Sequence, residues 1–493
     1  MGDPIPYPVP LNCALPVSAI ARLPETSQRI ERQSAPASTP MSSYRYTTKE
    51  HMVDMDEPSW INTVRTKLNE CHPKTLPSRQ WTIFKVPENI RRSETKVIYD
   101  PLITSIGPYH YHASQRGTSL AMQNHKWRCV RWLLSRHRSK RRATVLLDKC
   151  LFAMKALDVE VRSCYSDDVY YFDPHKLASI MLLDGCFIIH LLLKQLAEKT
   201  MENVEKREDE GEEDQKKVEV EESVELDIED EEEIEGPLLG MQWIWNLVLF
   251  DLLKLENQIP FFVIETLFDI LKTSADEDIN LPKLALQLFA SIHPSKSETS
   301  SSATTLNNKN VHHLLHLFHS TIIPTDCDHR PYSIQTEMAP EWIPSATKLQ
   351  LAGIKFVKKK TASTFLDISF KNGTLEIPEL CLYDFDNTHT LFRNLVAFEQ
   401  CYPGTKSYMT SYTTFMKCLI DSSKDVDLLE CKGILINQLR PQDAVANLFT
   451  QLCNQIYCSS DKDYLGDLFV ELKKYNDARW HKWGCGLIKR SFQ

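Results

Sequence analysis

The run LASIMLLDGCFIIHLLLK, from Leu177 to Lys194, narrows the choice of fold more than any other stretch of this chain. It approaches the ~20 mostly apolar residues that a membrane-spanning helix needs. Asp184 and His190 interrupt it, and an Asp at the centre of a span costs roughly 2.5–3.5 kcal/mol. The better reading is a helix apolar on every side and buried in the middle of a large helical core. Such a helix needs partners. SLAMQNHKWRCVRWLLSRH (Ser119–His137) places Leu120, Trp127, Val130, Leu133 and Leu134 near helical spacing, and TVLLDKCLFAMKALDVEVRSCY (Thr144–Tyr165) follows it. Near the C-terminus, PQDAVANLFTQLCNQIY (Pro441–Tyr457) opens with proline and then acidic Asp443, as a helix start should.

A second apolar run raises a different question. DLLKLENQIPFFVIETLF (Asp251–Phe268) carries Glu256, Asn257 and Gln258 side by side, with Pro260 behind them. Burying such groups unpaired costs roughly 1–3 kcal/mol for each amide and more for the charge. Proline disfavours the α region for the residue before it. The pattern therefore predicts one helix through LVLFDLLKLENQ and a second through FFVIETLFDIL, with Pro260 in the first turn of the second. The three polar side chains then fall at the junction, able to accept from free amides of the second helix or donate to the last carbonyls of the first. A ligand pocket lined by Glu256 is the alternative. General acid or base chemistry at Glu256 would require a raised pKa and a partner, and the sequence shows neither.

One segment reads as β. FLDISFKNGTLEIP (Phe365–Pro378) alternates Leu366, Ile368 and Phe370 with polar residues, turns at Asn372-Gly373, and resumes with Leu375 and Ile377. The expected fold class is mainly α (α+β), a large helical core with a small antiparallel β-hairpin or sheet in the second half.

Length and charge divide the chain. At 493 residues it has room for two to four domains, or one large one with tails. Residues 1–56 carry eight prolines among Ser and Thr and read as a disordered tail with no secretory signal. Between Glu202 and Glu235, 19 acidic residues face 4 basic ones, a net of −15, while the whole chain is only −9. The remainder is therefore about +6, and the acidity belongs to an insert over 200–236 that like-charge repulsion keeps solvated. SKSETSSSATTLNNKN (Ser295–Asn310) reads as a linker. The expected organisation is a helical stretch over 57–199, the insert, a helical continuation over 237–294, the linker over 295–310, a second half over 311–483 containing the hairpin, and a short tail over 484–493.

The chemistry-bearing residues are sparse. Only 14 glycines occur, and no GxGxxG, GxxxxGK[ST] or GxSxG, which argues against common nucleotide-binding enzymes and serine hydrolases. The 14 cysteines are scattered without a CxxC and read as reduced, buried thiols. Cys327 and His329 lack a second ligand pair. His312, His316 and His319 share one face at i, i+4 and i+7, but no HExxH glutamate joins them. They are expected on a partly exposed amphipathic helix, so no metal and no cofactor is assigned. Arg136, Arg138, Lys140, Arg141 and Arg142 concentrate charge between two helices, as a solvated loop or as a contact for an anionic surface. No aromatics interleave them, so nucleic acid is not an expected partner.

Ten phrases in order carry a resemblance. They are FKVPENIRR (84–92), SIGPYHY (105–111), NHKWRCVRWLL (124–134), MLLDGCFIIHLLLK (181–194), DLLKLENQIPFFVIETLF (251–268), PSATKLQLAGIKF (344–356), NGTLEIPEL (372–380), FRNLVAFEQC (392–401), TSYTTFMKCLID (410–421) and RWHKW (479–483). The set resembles the plant family called Domain of Unknown Function 247, over about Phe84 to Trp483. That resemblance implies no established enzymatic activity and no catalytic residues to carry over. Some grass members look like pollen-side determinants of self-incompatibility, which implies recognition of an unknown protein partner rather than turnover of a small-molecule substrate. Many members end in one transmembrane helix after the region matching RWHKWGCGLIKRSF, where this sequence reaches Gln493. A cytoplasmic or peripheral-membrane location is the resulting expectation. The rivals are an enzyme built around Glu256 and His125, and an adaptor that holds a basic partner on the acidic insert.

Overall fold

Apolar runs broken by polar junctions give sixteen α-helices and five short strands among the described residues. The computed structural model describes residues 59–70, 81–92, 98–112, 118–137, 139–167, 169–209, 242–294, 311–324, 342–382, 384–439, 442–458 and 463–490. The N-terminal tail (1–56), residues 210–236 of the acidic insert, the 295–310 linker and the stretch holding Cys327 and His329 lie outside them.

In the unit Met1–Pro73, helix α1 is Ser59–Glu70. The second unit, Lys74–Gln493, begins with α2 (Glu88–Arg91), α3 (Thr118–Ser135), α4 (Lys140–Ala156), α5 (Asp158–Ser163) and α6 (Pro174–Asp209). Then come α7 (Gln242–Leu252), α8 (Phe261–Leu271), α9 (Leu281–Leu288), α10 (Leu314–Ile322) and α11 (Ala346–Leu351). Strands β1 (Lys355–Lys358), β2 (Ser369–Lys371), β3 (Thr374–Ile377) and β4 (Leu380–Leu382) follow. Next are α12 (Phe385–Cys401), α13 (Tyr408–Leu419), α14 (Ser423–Cys431), β5 (Leu435–Asn437), α15 (Asp443–Leu452) and α16 (Gly466–Arg490).

Helix α6 is long and apolar enough to cross a membrane, and most of its apolar stretch is buried within the protein. It packs against α3, α4, α5, α8 and α9. It also runs on to Asp209, so residues 200–209 are helical rather than part of a disordered insert. The Glu, Lys and Arg of that stretch are good helix formers, and propensity carries the helix into the charged run. Likewise α16 reaches Arg490, which makes 484–490 helix rather than tail.

The hairpin forms as its turn chemistry demands. β2 and β3 pair antiparallel around Asn372 and Gly373, whose φ values of 51° and 77° suit the left-handed positions of a tight turn. The sheets differ from a purely antiparallel expectation. β1 joins β3 in parallel, and β4 pairs in parallel with β5. Residues 365–368 are not strand, although Phe365, Leu366 and Ile368 are buried by their side chains. Helices α12, α13 and α15 pack on one another beside these sheets.

The junction at 251–260 departs from the sequence reading in an instructive way. Helix α7 stops at Leu252, not at Gln258. Asn257 Nδ2 takes the carbonyl of Asp251 (2.8 Å), and Gln258 Nε2 takes those of Leu252 (2.7 Å) and Lys254 (2.8 Å). A continuing helix would need those carbonyls for amides four residues on. The Leu255 amide turns away to Asn394 Oδ1 (2.9 Å). Pro260 sits at the N-cap of α8 with φ −59° and ψ 137°, one position before the first turn.

Candidate functional site

The polar residues of the junction reach across sequence to a second irregular segment, residues 98–112. Asp251, fully buried, accepts the amides of Leu102 (2.9 Å), Ile103 (2.7 Å) and Thr104 (2.9 Å). Its other neighbour is Lys254 Nζ at 3.0 Å, which also donates to the Asp100 carbonyl at 2.6 Å. Asn257 Oδ1 accepts from Ile106 N (2.6 Å), while its Nδ2 also donates to the Thr104 carbonyl (3.0 Å). Gln258 Oε1 accepts from Leu315 N at the start of α10 (3.2 Å). Gly107 N donates to Asp184 Oδ2 in α6 (2.7 Å), and Lys126 Nζ bridges Asp184 and the Ser105 carbonyl at 2.5 Å each. Burial pushes the Asp184 carboxyl up, and Lys126 opposes that rise. Gly107 is required twice over. Its φ is +75°, and an added Cβ would stand 2.4 Å from the Gln258 carbonyl oxygen.

Glu256 anchors the outer edge of this hub. Its Oε1 accepts from Val86 N (2.8 Å) and pairs with Arg91 (2.7 Å), and Oε2 lies 3.5 Å from His110 Nε2. Burial alone would raise the carboxyl, but nearby His110, the Arg91 hydrogen bond and charge, and the Val86 amide outweigh it and hold Glu256 below its ordinary range. The raised carboxyl that an acid–base role requires is therefore reversed. His125 stands in a different cluster, beside Cys129 and His190. Asp100, His110 and Glu256 bring ligand atoms together as a cation site would. Arg91, bonded to Asp100 at 2.8 Å and to Glu256, already supplies the positive charge there.

The loop that the hub fixes ends in aromatic residues. Tyr109 packs edge-on to Tyr165 at 5.2 Å, and Tyr165 donates to the Gln258 carbonyl (3.0 Å). Tyr111 and His112 meet Phe172 at 5.8 and 5.7 Å, and His112 stacks over Tyr171 at 6.2 Å. Lys176 Nζ lies 4.5 Å from the Tyr111 ring centre. Tyr170 and Tyr171 face solvent, 58% and 59% exposed. Arg162 fastens their turn from beneath. Buried at 5% exposure, it donates to the Val169 carbonyl (2.7 Å) and the Phe172 carbonyl (2.9 Å), which bracket the two tyrosines. Asp158 holds the guanidinium by two 2.8 Å bonds. The turn is thus tied down at both ends while its two tyrosine rings stay exposed.

The remaining candidates resolve differently. Arg136 is not a free surface cation. It makes a two-pronged pair with Asp276 (3.0 and 2.8 Å). Lys140, Arg141 and Arg142 lie in the first turn of α4 rather than in a loop, and all three are exposed. Arg138 lies outside the described residues. Ser139 caps α4 by accepting from Arg142 N. Of the histidines on that segment, His312 and His316 are half-buried and His313 and His319 are buried. His312 precedes the helix, bonding Tyr402 OH (2.8 Å) and stacking on His316 at 4.5 Å. His319 pairs with Glu399 at 2.8 Å. Burial, with neighbouring imidazoles, lowers His313 to about 3 and His316 to about 2.

Asp251, Arg162 and the Tyr170–Tyr171 pair are absent from the sequence reading. No local pattern marks them, since their roles depend on amides and carbonyls supplied by the fold.

A family profile described as a plant protein of unknown function, DUF247, matches residues 83–493. A UPF0481 protein of Arabidopsis thaliana is 29% identical over 425 residues, covering 82% of this chain and 78% of the relative. A second UPF0481 protein of the same plant is 29% identical over 140 residues, 28% of this chain and 26% of the relative. No solved structure gives a significant match.

Proposed function

The chain belongs to DUF247, a plant family of unknown function, and within it we propose a recognition protein that binds a protein partner through the surface formed by Tyr111, His112, Tyr170 and Tyr171. The observation that carries this reading is the exposed tyrosine pair on a turn clamped by buried Arg162. Tyr is enriched at binding hot spots because it offers large contact area with few rotatable bonds. Pre-fixing the turn lowers the ordering cost of association. Glu256, Asn257 and Gln258 support the surface from behind instead of forming a reacting site.

The test is proximity labelling in plant cells with the full chain, beside a Tyr170→Ser/Tyr171→Ser variant and a Trp342→Ser control at another exposed aromatic. Loss of specific partners in the double variant alone, at equal abundance, is the expected result. An unchanged partner set in the double variant overturns the reading.

A second observation favours a membrane surface as the place where this happens. On α4, Val145 (48% exposed) and Phe152 (73%) share a face with Arg141 and Lys149, next to exposed Lys140, Arg142 and Lys155. Asp148 is the acidic exception on that face. Cations at a helix N-terminus oppose the helix dipole, and an anionic headgroup would relieve this. Co-sedimentation with phosphatidylserine vesicles should fall in a Lys140→Gln/Arg141→Gln/Arg142→Gln variant. No wild-type binding at physiological salt contradicts the membrane reading while leaving the tyrosine surface untouched.

A further inference from the structure

One buried cluster is left chemically unfinished by everything above. His125 and Cys129 are one helical turn apart on α3, and His190 meets them from α6. One ligand atom from each lies within 4.8 Å of the other two. His125 Nε2 and Cys129 Sγ are 3.4 Å apart, and the two imidazole rings meet at 6.2 Å. All three residues are buried, at 6%, 0% and 6% exposure. His190 Nδ1 is buried with no hydrogen-bond partner. The walls are otherwise aromatic, with Phe187 at 6.0 Å from His125 and Trp132 at 4.8 Å from His190. Trp132 is itself partly exposed, so this end of the cluster is one side chain from solvent.

We propose that His125, Cys129 and His190 form a three-coordinate site for Cu(I). The donor set is one thiolate and two neutral imidazoles, and soft thiolate selects Cu(I) and Zn(II) above harder ions. Structural Zn(II) takes four protein ligands, whereas three are gathered here. Charge decides the rest. Cu(I) on a single thiolate is neutral, which an apolar interior tolerates. Zn(II) would leave a net positive charge in that buried setting, where no carboxylate among the described residues joins the three ligands. The buried cation Lys126, beside His125 in sequence, is already balanced by Asp184. On binding, the Cys129 S–H proton leaves to solvent, an S–Cu bond forms, and one ring nitrogen from each of His125 and His190 completes the three ligands. No electrons are transferred.

The test uses the full-length chain, reduced and anaerobic, titrated with Cu(I) against bicinchoninate as the competing chelator. Wild type should retain one more Cu(I) per chain than Cys129→Ser or His190→Leu. X-ray absorption of the wild-type site should show one sulfur and two nitrogens. The chain has 14 cysteines, so adventitious copper is the natural confounder. Copper binding that is identical in wild type and variants, or a metal shell of sulfur alone, overturns the proposal. So does tight binding of Zn(II), titrated alone, without retention of Cu(I). The absorption measurement needs no variant, so a Cys129→Ser chain that fails to fold leaves the question decidable.

Discussion

Two buried polar regions meet α6, one at Asp184 and one at His190, and they differ in how completely their atoms are used. In the hub, every side-chain nitrogen and oxygen of Asp251, Asn257 and Gln258 has a partner, half of them backbone groups of 98–107. At the His125–Cys129–His190 cluster the groups mostly face one another, and His190 Nδ1 faces nothing. A saturated cluster holds a fold, because each group answers an amide or carbonyl that has no helix or strand to satisfy it. An unsaturated one carries a standing cost of roughly 1–3 kcal/mol that the fold does not need. The difference is one of degree, since Thr104 Oγ1 and His110 Nε2 at the edge of the hub are also buried without a hydrogen-bond partner.

Acid should have the largest effect, with one contribution from each region, His190 and Glu256, added to that of the α10 histidines. Burial lowers His190 and His313 to about 3 and His316 to about 2, from 6.5. The unfolded chain binds protons on these bases below that value while the folded chain does not, so stability falls as pH drops. Two to three protons correspond to about 3–4 kcal/mol per pH unit between pH 6 and 4. Glu256 acts in the same direction over a lower window. Its folded pKa is depressed, so its contribution is present above the ordinary 4.5 and is lost as pH falls through the folded value. Urea denaturation at stepped pH should therefore show losses beginning near pH 6 and steepening below 4.5. In His190→Leu the upper slope should shrink, and in Glu256→Gln the lower one.

Single substitutions follow in decreasing order. Asp251→Ala strands three amides and Lys254 in the interior and should cost about 3–5 kcal/mol, read by chemical denaturation. Asn257→Leu has similar volume but leaves Ile106 N and two carbonyls unpaired, for about 2–4 kcal/mol. His190→Leu is the matching change in the other region, and in metal-free protein it should lie within about 1 kcal/mol of wild type, because it deletes an orphaned group. Equal costs for Asn257→Leu and His190→Leu would erase the distinction between the regions. Tyr170→Ser/Tyr171→Ser should change stability by less than about 1 kcal/mol, as exposed substitutions do.

How much of this could be read from the sequence depends on the range of the interactions. The hairpin was legible because Asn372 and Gly373 specify their own turn. Helix α6 was legible because its apolar content is local, and the unusual polarity of Glu256, Asn257 and Gln258 was visible at once. Their partners were not. Asn257 answers Ile106 across 151 positions, and Arg136 finds Asp276 across 140. Those distant amides and carbonyls also explain why α7 ends at Leu252, since side chains compete for the carbonyls that would prolong it. The parallel pairing of β4 with β5 depends on chain path, which no local pattern encodes. Two of the three members of the histidine–cysteine cluster, His125 and Cys129, stand four apart in HKWRC, but nothing there marked them as a pair, and His190 arrives from another helix. The exposure of Tyr170 and Tyr171 follows from Arg162 gripping the carbonyls on either side, and YYF in sequence looks like core.

The most direct measurement is native-state amide hydrogen exchange at Leu102, Ile103, Thr104, Ile106 and Gly107. These residues belong to no helix or strand, yet each amide donates to a hub side chain or to Asp184. If the hub is the clamp that sets the aromatic surface, they should exchange as slowly as the centre of α6, only by global unfolding. Exchange at loop rates would show that the segment opens freely, and that Asp251 and Asn257 do not hold it.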